Sequence, residues 1–463
     1  MTATAEPPAH GGRIGALSIG IPAILAVVVG AWSITVPSLW RDESVSLYFA
    51  RIPLADAWHI WGDVDAVHAT FDLLLRPLAA IEPVELAVRL PSLAGFVVAT
   101  IGVVLVGRNL SGWSMGACAG CVYALLPVTS RYAQEGRSYA LVSAAAVIAT
   151  WLLLRACERP TRGRLATYAA AIAVLGYLHL YALLLVLVHA LHLVVTSRHL
   201  VGRAVVAWGV AGVVLLPLAI VASGQRERQL FWLKSPEQDD LSTFIQSIGG
   251  TTPAGVALAA LVLAGAWVLR RRPIVILWAF VPVIVSFTVS QVYPIFNERY
   301  LLFVVPAVAL MVGASVDAAA RLVRPRVGSV AVSALGVAMI AGLTLPAHQD
   351  IRRPDSRPDD LRTMSRDLTA DWRPGDGVMP LPAHTVKFMN AYGGPFEHSV
   401  PVDVELLPPG MTRIWVITIG YPAVDDNRRP DDGLLLTELD TEFLRRSVES
   451  YGMTRVSLWT RRG

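Results

Sequence analysis

Charge is what this sequence has least of. Asp, Glu, Lys and Arg make up 16% of its 463 residues, where about 25% is usual for a soluble domain. Cysteine is also scarce, with three in all: Cys118, Cys121 and Cys157. Cys118 and Cys121 form a C-x-x-C inside an apolar run. No second pair or nearby histidine completes a zinc site, so both read as small packing residues. No cysteine falls in a segment expected outside a membrane, so disulfides are not expected. Internal repeats and low-complexity tracts are missing as well. The opening "MTATAEPPAHGGRIG" carries one Arg and leads into an apolar stretch too long for a signal-peptide core. It has no clear cleavage site, so a retained first helix is expected.

What is present is apolar sequence, 54% hydrophobic by composition. It comes in repeated runs of roughly 17–25 residues, the length that crosses a bilayer as helix. The class is an α-helical polytopic membrane protein. Spans are expected at 14–36, 84–106, 111–128, 139–156, 203–222, 253–269, 273–291, 300–320 and 327–346. The net charge of +4 says little here, because in a membrane protein the location of Lys and Arg matters more than their sum. No nucleic-acid partner is expected.

Residues 165–197 are too long for one comfortable span and short for two. Loop charge decides between them. With the amino terminus in the cytoplasm, "RACERPTRGR" (155–164), "RRR" (270–272) and "RLVRPR" (321–326) all belong inside. They do so only if 165–197 breaks near "GYLHLY". This gives about eleven helices, with the carboxyl terminus outside. The expected organisation is a membrane domain over 1–346 and a small extracytoplasmic α/β domain over 347–463. In the latter, "RPDDLRTMSRDLTADWRPGDGVMPL" reads as helix, turn and strand, and "TRIWVITIG" and "MTRVSLWTRR" as strands. "LDTEFLRRSVES" reads as a helix.

Polar chemistry gathers on the expected outer side. "TVPSLWRDESVSLYFARIP" (35–53) sets Asp42 and Glu43 at the mouth of the first span, opening an extracytoplasmic loop over about 41–83. A pair of acids at a loop edge is also common as solvated surface. The same loop adds "WGDVDAVHATFDLLLRPL", with Asp63, Asp65, His68 and Asp72. Asp65, His68 and Asp72 follow helical spacing, so they are expected on one face. In "RYAQEGRSYAL" (131–141), a helix would align Arg131, Gln134, Glu135 and Ser138, with Arg137 to the side. Two arginines against one glutamate suit a phosphate, since the planar guanidinium binds it bidentately. An Arg131–Glu135 surface ion pair is the plainer alternative. "QRERQLFWLK" (225–234) supplies Arg226 and Arg228, and "FNERYLL" (296–302) supplies Arg299. Each alone is ordinary interfacial anchoring. His179 stands at the hinge between Tyr177 and Tyr181, as a structural or substrate-facing residue. His189 and His192 read as packing residues within the bundle.

In that order, "RDE", "DVDAVH", "RYAQEGRSYAL", "GYLHLYALLL", "NERYLLFVVPA" and a tail with "ADWRPGD" make a series. It resembles the bacterial glycosyltransferase family 39 group of the GT-C superfamily, relatives of protein O-mannosyltransferases and aminoarabinose transferases. Where many relatives carry an "HPP"-type segment, this chain has "VHATFDLLL". The resemblance implies a sugar donor on a polyprenyl phosphate and an Asp of the first loop as base, here Asp42 with Glu43 its neighbour. It further implies mannose as the first expectation for the sugar and arabinofuranose as the second. The acceptor would be a cell-envelope glycan, a lipoglycan or a protein.

On that footing Arg131 and Arg137 are the first expected phosphate ligands, with Arg299, Arg226 and Arg228 behind them. Asp63, Asp65, His68, Gln134, Glu135, His179 and Tyr181 are expected at the substrates. A polyprenyl phosphate leaves as a stabilised anion, so a single base and inversion are expected, in contrast with the paired carboxyls of glycosidases. The chain is expected in the cell membrane with its site facing out. Asp42, Glu43, Asp63, Asp65 and His68 are an alternative ligand set for a divalent cation such as Mg²⁺ or Mn²⁺. A transporter or flippase of a lipid-linked glycan is the rival class. It would show ionisable residues or broken helices at mid-membrane.

Overall fold

A peptide group in hydrocarbon finds no water, so an apolar run closes its hydrogen bonds within itself as helix. The computed structural model follows that rule at each expected span. It describes residues 10–230, 233–323, 325–381, 385, 389–395, 410–419, 436 and 439–462.

The chain begins with α1 (His10–Ala31), followed by three short helices, α2 (Arg41–Arg51), α3 (Leu54–Asp63) and α4 (Ala69–Leu75). Then come α5 (Val84–Ser111), α6 (Trp113–Leu125), α7 (Pro127–Ala133), α8 (Tyr139–Glu158) and α9 (Arg162–Leu178). They are followed by α10 (Leu184–Thr196), α11 (Val201–Leu230), α12 (Gln238–Gly249), α13 (Thr252–Val268) and α14 (Pro273–Ser290). The helical part closes with α15 (Val305–Arg321), α16 (Arg326–Asp350) and α17 (Leu361–Asp371). Among the described residues seven helical segments are long and apolar enough to cross a bilayer, or eight if α12 and α13, bent by 90°, make one broken span. The expected break in 165–197 falls at His179, whose extended backbone ends α9.

Two compact units result. The first joins Met1–Trp32, Trp61–Phe71 and Arg89–Asp350, and the second joins Ser33–Ile60, Asp72–Val88 and Ile351–Gly463.

In the first unit α15 is buried along almost its whole length and packs against α6, α13 and α16. Small residues allow the approach: a Cβ on Gly313 would lie 2.5 Å from the Ala119 backbone. In lipid such close packing takes the place of a hydrophobic driving force. Helices α8, α9, α10 and α11 share one buried polar cluster. The Tyr168 hydroxyl meets His189 Nδ1 at 2.8 Å, Thr150 Oγ1 meets His189 Nε2 at 3.1 Å, and Trp208 Nε1–H donates to Tyr168 at 2.8 Å. Both ring nitrogens of His189 are thereby satisfied, in keeping with its reading as a packing residue. The outward faces of α1, α11 and α16 expose Ile24, Val206, Val213, Ile220 and Leu335, as lipid contact requires.

The second unit carries a four-stranded sheet in the order β1-β2-β4-β3, with β1 (Gly377–Leu381), β2 (Arg413–Ile419), β3 (Phe443–Tyr451) and β4 (Thr454–Arg461). β1 and β2 are parallel and the other pairs antiparallel. Alternate side chains face opposite sides of a strand. Val378, Trp415, Ile417 and Val456 pack on Leu361, Met364 and Leu368 of α17. Met379, Ile414, Val416 and Trp459 form the other face with Leu439 and Phe443. One expectation fails here. Most of "LDTEFLRRSVES" is not helix but strand β3, paired along β4.

Candidate active site

In the second unit the acid motif opens α2. Trp40 is the N-cap in extended conformation, and Arg41, Asp42 and Glu43 form the first turn. Carboxylates suit that end of a helix, where backbone N–H groups point outward. The two acids part ways at once. Glu43 is fully buried and its Oε2 accepts the Trp40 N–H at 3.4 Å, whereas Asp42 is half-buried. Glu43 thereby holds the turn.

The chain just ahead of Asp42 is irregular, so its backbone groups need partners from elsewhere. Arg362 Nη2 donates to the Thr35 carbonyl at 2.7 Å and Nη1 to that of Val36 at 3.0 Å. The Arg362 N–H donates to Ser38 Oγ at 3.0 Å. Tyr392 Oη accepts the Leu39 N–H at 2.8 Å and donates to Glu85 Oε1 at 2.6 Å. Glu85, itself buried, also pairs with Arg362 at 2.5 Å. Arg41 is held by buried Asp359, whose Oδ2 accepts its N–H at 3.3 Å and its Nε–H at 3.1 Å. Asp359 Oδ1 accepts from Thr454 at 2.9 Å. Burial and the Glu85 carboxylate raise the Tyr392 phenol well above its ordinary pKa, so it stays protonated as a donor.

In the first unit "RYAQEGRSYAL" is not one helix. α7 stops at Ala133, and Gln134–Ser138 is an irregular, buried turn before α8. Arg131 and Glu135 nonetheless pair at 2.7 Å. Gln134 is occupied at the end of α1, donating to the carbonyls of Gly30 at 2.8 Å and Trp32 at 2.7 Å. Arg137 Nη2 lies 2.7 Å from His68 Nε2. Since guanidinium only donates, Nε2 accepts and the His68 proton sits on Nδ1. Burial, then the Arg137 charge, then His179 push His68 well below its ordinary pKa, so the ring is neutral. Arg131 and Arg299 both reach Tyr132 electrostatically, although burial and Glu135 drive its pKa up.

His179 stands in an aromatic cage. Its ring centroid is 5.0 Å from Tyr300, 6.1 Å from Tyr139 and 6.3 Å from Tyr181. Tyr181 in turn bonds to Ser286 Oγ. Among the described residues, His179 Nδ1 is buried with no hydrogen-bond partner. Arg226 stacks over Tyr293 with 3.6 Å to the ring centroid. The side chain of Arg228 lies outside the described residues.

The loop acids do not share a helix face as expected. Asp65 has a left-handed backbone (φ 62°), Ala66–His68 is a single 3-10 turn, and α4 starts only at Ala69. Asp and Asn tolerate φ > 0 better than other side-chain-bearing residues. The turn is pinned by Gln225, which accepts from Ala66 N–H at 3.0 Å and donates to the Trp61 carbonyl at 2.7 Å, and by Gln229, 3.4 Å from Asp65. Asp63 is exposed and Asp72 fully buried. Among the described residues no three His, Cys, Asp or Glu gather as a metal site.

Several buried or paired residues escaped the sequence reading. Arg89 of α5 is fully buried near the start of a span, and Arg41, Glu85, Asp359, Arg362 and Tyr392 work far apart in sequence. For Arg89 a signal existed, an arginine within an apolar run.

The sequence matches no protein-family model and no curated protein. Solved structures do match. ArnT from Cupriavidus metallidurans bound to undecaprenyl phosphate aligns over 97% of this chain and 98% of its own, with TM-score 0.65 and 14% identity. The archaeal oligosaccharyltransferase AglB from Archaeoglobus fulgidus, in complex with an inhibitory peptide and a dolichol-phosphate, aligns over 88% and 70%, with TM-score 0.53 and 12% identity. The Archaeoglobus fulgidus oligosaccharyltransferase in complex with Zn and sulfate aligns over 86% and 67%, with TM-score 0.53 and 12% identity. The chain has the GT-C fold, a multi-pass helical membrane architecture with a small C-terminal sheet domain.

Proposed function

We propose that this protein is a membrane glycosyltransferase. It moves a sugar from a polyprenyl phosphate to an acceptor on the outer side of the cell membrane, with inversion at the anomeric carbon. The observation that carries the reading is the likeness in fold, over almost the full length of both chains, to a transferase holding undecaprenyl phosphate. Mannose is the first choice of sugar and arabinofuranose the second. The acceptor is a cell-envelope glycan, a lipoglycan or a protein.

Asp42 takes the proton of the acceptor hydroxyl as that oxygen attacks the anomeric carbon, while the bond to the phosphate oxygen breaks. The leaving phosphate keeps both electrons of that bond, so it needs cations rather than a proton. Arg137 and Arg299 supply positive charge, and Arg131 does so jointly with Glu135. His68, neutral and held by Arg137, is an acceptor that fixes the guanidinium plane. The unpartnered nitrogen of His179 and the hydroxyl of Tyr181 are polar contacts for a sugar among rings that would stack on it. Asp63, Asp65 and Arg226 are further substrate contacts. No step is assigned to a metal ion.

The test is membranes incubated with radiolabelled polyprenyl-phosphate mannose or arabinofuranose. General-base assistance is worth about 10²–10⁴ in rate, so Asp42→Asn is expected to lose turnover by that factor with its membrane content unchanged. Turnover within a few-fold of wild type would remove Asp42 as the base. Lipid movement without cleavage of the sugar–phosphate bond would instead mark a flippase.

A further inference from the structure

The residues that steady the acid motif come from the other end of the sequence. From Thr35 to Trp40, leading into the first turn of α2 at Arg41 and Asp42, the second unit has no helix or strand. Yet apart from Pro37 every residue of that stretch is tied by a bond described above. Arg362 takes Thr35, Val36 and Ser38, and Tyr392 takes Leu39. Glu43 takes Trp40, and Asp359 takes both the backbone and the side chain of Arg41. Asp359 is in turn set by Thr454 on β4 and by its bridge to Gly452. Arg362 and Tyr392 are locked together by one carboxylate, that of Glu85.

We infer that Asp359, Arg362 and Tyr392 are positioning residues for Asp42, so that the C-terminal domain sets the register of the catalytic base. The inference rests on the proposed role of Asp42. A base must stand about 2.6–3.2 Å from the proton it removes. An error of about 1 Å in such placement costs on the order of 10²-fold in rate. A segment with no ladder of its own cannot keep that tolerance alone. Its backbone is fixed instead by three side chains anchored on α17, on β4 and on the turn at Asn390–Tyr392.

The test pairs two variants, Asp359→Asn, which removes the charge facing Arg41, and Tyr392→Phe, which removes one hydroxyl. Each is expected to lower kcat for the labelled donor, by about ten-fold or more for Asp359→Asn, with donor KM within about two-fold. On an Asp42→Asn background neither should lower the residual rate further, because both act through that carboxylate. A general loss of fold would lower both. Independently of turnover, hydrogen exchange over residues 35–43 should rise in both variants, while β2 and β4 keep their protection. Wild-type kcat in both variants beside an inactive Asp42→Asn overturns the positioning role and leaves the base in place. So does unchanged exchange over 35–43 in both. An active Asp42→Asn overturns the base assignment itself.

Discussion

At the residue scale the acid pair divides into a half-buried and a fully buried partner. Asp42 at the second position of α2 keeps part of its surface open, while the third position lets Glu43 fold back to the Trp40 N–H. The adjacency "RDE" was legible, but the sequence could not say which acid is spent on structure. His68 offers a second case. Its folded pKa lies below the ordinary value near 6.5. The unfolded chain therefore binds the extra proton first, and His68 contributes stability that is present above about pH 6.5 and lost as the pH falls through it. The groups facing it include the Arg137 cation and the His179 ring. The apparent melting temperature in detergent is expected to drop between pH 7 and pH 5, and less so in His68→Gln, which keeps an acceptor for Arg137. An equal drop in both proteins refutes a neutral His68.

At the element scale the long helices were readable because bilayer thickness fixes their length, and the break at His179 because loop arginines fix their parity. Two elements were misread for identifiable reasons. "RYAQEGRSYAL" has helix-forming residues, but Gln134 and Glu135 are recruited sideways, to the end of α1 and to Arg131. Strand β3 is exposed on both faces over Leu444–Ser450, so no alternation of burial marks it. Its pairing with β4 overrides local helical preference. Packing gives a prediction at this scale. Gly313→Ala forces a methyl into the Ala119 backbone, an overpacking expected to cost about 1–3 kcal/mol. Gly212→Ala on the open face of α11 meets nothing within 4 Å, and helix propensity makes it neutral or slightly stabilising. Thermal unfolding in detergent that ranks the two the other way would refute the close α6–α15 approach.

At the scale of the whole molecule, charge bias in the loops is the basis for placing the acids outside. Single cysteines on a cysteine-free background check it. Asp63→Cys is expected to react with an impermeant maleimide on intact cells, and Arg271→Cys only after permeabilisation. The reverse pattern removes the rationale for a lipid-borne donor. Partnerships such as Arg41 with Asp359, 318 positions apart, lay beyond any local reading, since nothing in either neighbourhood names the other.

The cluster around His189 bears on how such a chain reaches its native arrangement at all. Hydrocarbon is indifferent to which valine meets which leucine, so bundles of apolar helices can settle in several registers. A slip of one turn, about 5.4 Å, by any of the four helices would leave buried polar groups of this cluster without their partners. Tyr168, His189, Thr150 and Trp208 thus act as a proofreading mark, rewarding the one threading in which all four meet.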